Sequence, residues 1–346
     1  MLTIRNGSHL HVQAGGVLRS SPDLDTLVPG WQTNLSNCPK LPPVLQGDNV
    51  HNVLLEGLGT VDASGFALMR SSPVGTCLPS GQVYRRRLLS FTGYTTASTG
   101  GNITVRDLVC RDATTWTLVV AGASHVQFLN LKVLNWQNAS VIKIENDGLD
   151  LIGGSHSRVD SSLVITCDDA MCAKSTLGPA LPMTNVTFEN NVVWSSCAGN
   201  KVGTECSDGA KSHIVFRNND IVQARRGVVA ENRHGGGLVS DVLFEDLRVE
   251  RLIETQEHHL GAKVKPIIPL QIHAQTSSIH GLTLRNISWL HVGTAASLVA
   301  GTSPHVSVRD VKLEQLSFDG KLARNAHEAH VQVGEYAYNI TVDSTA

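Results

Sequence analysis

Two short segments concentrate the residues that could do chemistry. Asp147 stands in Glu145-Asn146-Asp147-Gly148, and Asp168 and Asp169 stand together in Cys167-Asp168-Asp169-Ala170. The second segment follows the first by about one turn of a repeated short-strand pattern. In a parallel β-helix, residues one coil apart lie nearly on top of each other, roughly 5 Å apart. Three carboxyls would then share one patch of surface. Crowded carboxyls drive their pKa values apart, so one keeps its proton as an acid while others stay ionised as bases. Hydrolysis of a glycosidic bond needs that division of labour.

The elements that must position these residues are short and repetitive. His51–Gly57, Gly101–Asp107, Ser124–Asn130, Thr184–Asn190, Ser212–Asn218, Val239–Asp246 and Ile279–Asn286 all alternate apolar and polar residues and run into Gly, Asn or Asp turns. Several neighbouring segments are spaced about 22 to 30 residues apart, with one interval near 40. A period of this size means a solenoid, a propeller or an array. No helical pattern intervenes, and propeller blades would be longer. The pattern predicts an all-β chain, a right-handed parallel β-helix of the pectin-lyase-like kind, with Val, Ile, Leu and Phe stacked inward coil upon coil. The long interval, about Leu252 to Ser278, is expected to leave the solenoid as a loop and form a cleft wall. No linker divides the 346 residues, so one domain over 1–346 is expected.

Composition excludes several classes of function. A formal net charge of −2 gives no electrostatic footprint for nucleic acid or an anionic membrane. No apolar run is long enough to span a bilayer. Seven cysteines, with Asn-X-Ser/Thr sequons at Asn6, Asn34, Asn102, Asn138, Asn185, Asn286 and Asn339, point to a secreted, glycosylated protein. The opening Met1-Leu2-Thr3-Ile4-Arg5-Asn6 lacks the basic and apolar regions of a signal peptide, so an N-terminal truncation is expected. The His258-His259 pair has no Cys or Asp partner at zinc-like spacing, and no metal or cofactor is expected. A monomer with a carbohydrate partner completes the expectation.

In order along nearly the whole chain, several segments resemble the motifs of glycoside hydrolase family 28, the polygalacturonase-like enzymes. Leu55–Gly65 is similar to the family's GxGTIDGxG segment, and Thr115-Trp116-Thr117-Leu118 to SPxWxL. Asn146–Asp150 resembles NTDGID, Cys167–Ala170 with Ala173-Lys174-Ser175 resembles GDDAI and the strand after it, and Gly199–Glu205 resembles the GHGxxIGS coil. The resemblance implies an inverting hydrolase in which Asp168 is the general acid while Asp147 and Asp169 hold and deprotonate the attacking water. It also implies a disulfide beside the Asp pair, for which Cys172 and Cys197 are the candidates and Cys167 an alternative partner. Cys38 and Cys77 are a second candidate pair. Seven is odd, so at least one thiol has no partner.

The departures bear on the substrate. The family's third-motif His falls near Ala198, and its Arg-Ile-Lys clamp for the galacturonate carboxylate falls on Val229, Ala230 and Glu231. Charge-assisted contacts are the strong ones, so losing two of them weakens a uronate site. A neutral or otherwise unusual plant or microbial glycan is therefore expected in place of plain homogalacturonan. Arg225, Arg226 and Arg233 are the alternative source of positive charge. Asn146, Lys201, Glu205, Arg226, Glu231 and His234 are the candidate substrate contacts. Trp116, Trp136 and Trp194 are candidate sugar platforms or packing residues, and Asp150 is expected to support the site. Two other functions stay open: a polysaccharide lyase, which would need an Arg or Lys base and often Ca²⁺, and a glycan-binding solenoid without catalysis.

Overall fold

The computed structural model describes residues 1–27, 41–67, 86–94, 101–135, 145–176, 181–207, 209–257 and 263–345. Among them short helical turns, Leu24–Leu27 and residues 65–67, interrupt an otherwise all-β chain. The strands stack in parallel as successive coils of a solenoid, as the repeats predict. One eleven-stranded sheet runs in strict sequence order, taking every third strand as far as Arg226–Asn232, and extends from Leu2–Thr3 to Val331–Val333. A second, nineteen-stranded set closes the remaining sides. Coils the sequence pattern did not reveal, at Gly154–Asp160, Val308–Phe318 and Ala337–Asp343, fill the gap after Ser124–Leu129 and extend the stack.

The alternation does the packing work. In Ser124–Leu129 and Lys211–Arg217 the inward residues are fully buried and the intervening ones face out. Like residues therefore stack on like. Phe188, Phe216 and Phe244 lie in one register row with ring centroids 4.5 and 5.1 Å apart. Offset aromatic stacking adds to simple burial. The corners also repeat: Asn102, His125, His156, Asn185, His213, Asp241, Asp310 and Asn339 each take a left-handed turn with φ near +50 to +57. Asn and Asp tolerate that conformation best, which is why the turns read as they do. Five sequon asparagines, Asn6, Asn102, Asn185, Asn286 and Asn339, are exposed. Asn34 and Asn138 lie outside the described residues.

Within the interval from Leu252 to Ser278 only the first part leaves the solenoid, and Ile268–Ala274 is a strand of the long sheet, where a loop throughout was expected. Thr255–Glu257 and Lys263–Lys265 form an antiparallel pair before the chain rejoins the long sheet at Ile268–Ala274. The hairpin springs from the corner that carries Arg225 one coil earlier. His258 and His259 lie outside the described residues.

Candidate active site

The site occupies the outer face of the eleven-stranded sheet and the corner that feeds it. Asp147 immediately precedes the strand Leu149–Ile152. Asp168 and Asp169 occupy the bend between Leu163–Thr166 and Met171–Ser175, where both side chains can face one side because neither lies in a regular strand. Asn146 builds that bend: its fully buried Oδ1 accepts hydrogen bonds from the backbone N–H of Cys167 at 2.8 Å and of Asp168 at 3.3 Å. Thr166 and Ser195 each donate a 2.6 Å bond to the Asp168 carbonyl. Asn146 thus shapes the acidic corner from behind. Gly148 must be small, since a Cβ there would meet the Ala170 carbonyl at 2.5 Å.

The parallel register sets the neighbours. Asp150, Cys172, Lys201, Val229 and Gln271 form one outward row across five coils. Lys174 projects two residues beyond Cys172, and Glu231 two residues beyond Val229. Gly203, in the left-handed region at φ +97, lets the Glu231 carbonyl approach, because a Cβ would sit 1.8 Å from that oxygen.

Two lysines divide the carboxyls between them. Lys174 Nζ lies 2.5 Å from Asp147 Oδ2, 3.2 Å from Asp150 Oδ1 and 3.7 Å from Glu205 Oε2. It also stands 3.7 Å above the ring centroid of half-buried Trp116, a cation–π contact. Lys201 Nζ lies 2.6 Å from Asp169 Oδ2 and 3.3 Å from Glu231 Oε1. Arg226 donates to Asp169 Oδ1 at 3.3 Å and to Glu231 Oε1 at 2.8 Å. Thr204, Gln271 and Arg233 complete the shell around Glu231 at 2.8, 3.1 and 3.3 Å. Atoms of Asp147, Asp169 and Cys172 gather within 4.8 Å of one another, as do those of Asp168, Asp169 and Cys197. Asp169 belongs to both groups.

The surroundings drive the three carboxyls apart. Burial raises Asp168 to about 6, and the neighbouring Asp169 charge adds to the effect. Burial would also raise Asp169, but Lys201, Arg226 and Lys174 outweigh it and hold its carboxyl well below the ordinary range. Asp147 is raised by burial and by Asp150, Asp168 and Asp169, against the pull of Lys174. Asp150 is raised for the same leading reason. One ammonium faces two buried carboxyls there, which disfavours ionising both at once. Glu231 is held low: Lys201 and Arg226 overcome its burial.

The candidate contacts fall into two sets. Glu205, at 28% side-chain exposure, and exposed His234 are joined by an isolated parallel bridge and face solvent beside Lys174. Lys201, Arg226 and Glu231 are buried and already bonded to each other or to Asp169. Ala198 and Val229, where the family motif has His and Arg, are fully buried. Lys174, Thr204 and Gln271 were not singled out by the sequence. Lys174 was open to discovery, because its outward parity on the strand after the Asp pair aims it at Asp150. Trp194 is 40% exposed, away from this network, and Trp136 lies outside the described residues.

The expected disulfide is absent. Cys110, Cys167, Cys172, Cys197 and Cys206 are all free thiols. Register explains the failure of Cys172 with Cys197: Cys172 pairs across the sheet with Lys201, four residues past Cys197. Cys197 instead lies against the Arg226 guanidinium at 3.3 Å. Cys38 and Cys77 lie outside the described residues.

No protein-family model matches the sequence, and no curated protein matches it. Solved structures do match the backbone. A family 28 exopolygalacturonase from Yersinia enterocolitica aligns over 100% of this chain and 71% of its own, with a TM-score of 0.67 at 13% identity. A hyperthermoactive exopolygalacturonase from Thermotoga maritima aligns over 99% of this chain and 81% of its own, with a TM-score of 0.65 at 16% identity. An endo-xylogalacturonan hydrolase from Aspergillus tubingensis aligns over 98% and 84%, with a TM-score of 0.58 at 16% identity. The fold is that of the polygalacturonase-like enzymes. The right-handed parallel β-helix is shared over the full chain, and the resemblance in the motifs accompanies a polygalacturonase-like backbone.

Proposed function

We propose that this chain is an inverting glycoside hydrolase acting on an α-linked polysaccharide or oligosaccharide whose sugar at the cleavage site carries no carboxylate. The reading rests on the contrast between adjacent Asp168 and Asp169. Asp168 is half-buried, raised to about 6, and positioned to keep a proton for the leaving oxygen. Asp169 is clasped by Lys201 and Arg226 and stays ionised, suited to deprotonate a water that Asp147 helps to orient. That division into acid and base is what general acid–base cleavage of a glycosidic bond uses. Carboxyl atoms of the pair lie within 4.8 Å, closer than the roughly 6.5–9.5 Å usual for single displacement, so the inverting outcome rests on the motif resemblance.

The substrate reading rests on Glu231. A carboxylate-binding sugar pocket needs uncommitted cations. Here the buried cations nearest the pair are neutralised internally, Lys201 and Arg226 by Asp169 and Glu231. A uronate would meet Glu231 behind them and no free guanidinium from position 229. Exposure of the five sequon asparagines supports a secreted location.

The test is a hydrolysis panel of neutral α-glucans, rhamnogalacturonan, xylogalacturonan and polygalacturonate, read as new reducing ends. Cleavage of a member with a neutral sugar at the scissile bond supports the reading. Preferred cleavage of polygalacturonate refutes the substrate argument, and unsaturated products absorbing in the near ultraviolet would reassign the chain as a lyase.

A further inference from the structure

Outside the acidic site, the described residues bring together another set of metal-ligating side chains, at the first coils of the solenoid. His9 and His11 lie on the strand His9–His11, two residues apart and therefore on the same face. The parallel register places His11 opposite Glu56 on the strand Val53–Glu56 of the next coil. His9 Nε2 lies 2.8 Å from Glu56 Oε1, and His11 Nδ1 lies 3.6 Å from the same oxygen. The three ligand atoms fall within 4.8 Å of one another.

We propose that His9, His11 and Glu56 form a binding site for a divalent transition-metal ion of the zinc type. Two imidazoles and one carboxylate are a donor set that suits such ions, with bond lengths of about 2.0–2.2 Å. Donors around one ion of that size stand roughly 3–4 Å apart, so small side-chain rotations bring all three into range. The remaining oxygen of Glu56 is also accounted for. Arg106, one coil further on, donates to Oε2 from Nε at 2.8 Å and from Nη2 at 2.5 Å. An outer contact of this kind fixes a ligating carboxylate and leaves Oε1 for the ion.

Access and room are both present. The side chains of His9 and His11 are 55% and 52% exposed. A cavity of about 320 Å³ lined by His11, Gln13, Glu56, Leu58 and Asp107 opens beside them, leaving space for a water or another ligand on the ion. Only unprotonated imidazoles ligate a metal, so affinity falls as pH drops. The ion would also stitch the coil of His9 to the coil of Glu56. Nothing in this proposal depends on the catalytic reading.

The test is isothermal titration of the whole protein with Zn(II), beside His9→Ala, His11→Ala and Glu56→Gln. His9 and His11 face solvent while the Glu56 side chain is 16% exposed, and circular dichroism checks that each variant is folded. The proposal predicts one site whose affinity falls at least tenfold in each variant, together with a rise in Tm on adding Zn(II) that His11→Ala abolishes. No binding by the wild type, or binding of equal affinity and stoichiometry in the three variants, would overturn it.

Discussion

Lys201 and Glu231 meet at 3.3 Å in the floor of the acidic site, the lysine also holding Asp169 at 2.6 Å. Glu231 stands where the family motif has a lysine, and it pairs with Lys201, so the charge nearest a uronate is satisfied within the protein. Lys201 is in this account a positioning residue: it acts through Asp169.

Replacing Lys201 tests that role. In Lys201→Met the packing is kept and the ammonium is lost. Asp169 then loses its leading source of attraction, and its pKa rises. The acidic limb of the rate profile, which reports ionisation of the base, moves to higher pH and kcat falls at least tenfold. An unchanged acidic limb would remove Lys201 from the mechanism.

The basic limb belongs to Asp168. Its carboxyl is raised to about 6, and the acid must be protonated to act. Activity therefore declines as pH rises through about 6. The same shift has a stability sign. A carboxyl with a raised folded-state pKa favours the native state below its unfolded value of 3.8, and that favour is lost as pH rises through about 6. Asp168→Asn removes the buried charge, and thermal melts at pH 7 should show a higher Tm than wild type while melts at pH 4 nearly coincide.

Glu231 holds three cationic groups together, Lys201, Arg226 and Arg233, and accepts from Thr204 and Gln271. Removing one partner from a buried charge network costs about 3–5 kcal/mol. Glu231→Gln should lower stability in denaturant titration by an amount in that range, with the m-value unchanged. A loss within about 0.5 kcal/mol, the scale of an ordinary surface substitution, would contradict the network.

The thiols near the site give a covalent check. Burial pushes Cys167 and Cys197 up to about 12, so both remain protonated and slow to oxidise. Alkylation under denaturing conditions without reductant, followed by peptide mass mapping, should recover Cys167, Cys172 and Cys197 unlinked. A Cys172–Cys197 cross-link would show that the register of the two coils differs from that described.

Much of this was legible in the sequence for a physical reason. Period-two alternation and turn residues are local, so the parallel coils were readable from segments such as Ser212–Asn218. Asp147, Asp168 and Asp169 were found because their motifs sit at corners, where neighbouring side chains escape the alternation. What could not be read was the register between coils. It decides that Cys172 faces Lys201 rather than Cys197, and that Lys174 reaches back to Asp147 and Trp116. It also sets His11 against Glu56 across 45 residues, a pairing no local pattern announces. The coil at Gly154–Asp160 was missed because two of its inward positions are Gly154 and Ser157, leaving Val159 as the only apolar residue of the strand.

The central claim is that Asp168 gives the proton to the leaving group, and leaving-group dependence tests it most directly. Wild type and Asp168→Asn would be compared on the glycan cleaved in the panel and on an aryl glycoside of the same sugar whose phenolate needs no protonation. The account predicts a loss of about 10²–10⁴ in kcat on the glycan and a much smaller loss on the activated aryl glycoside. Equal losses on both substrates, or no loss on the glycan, would contradict it.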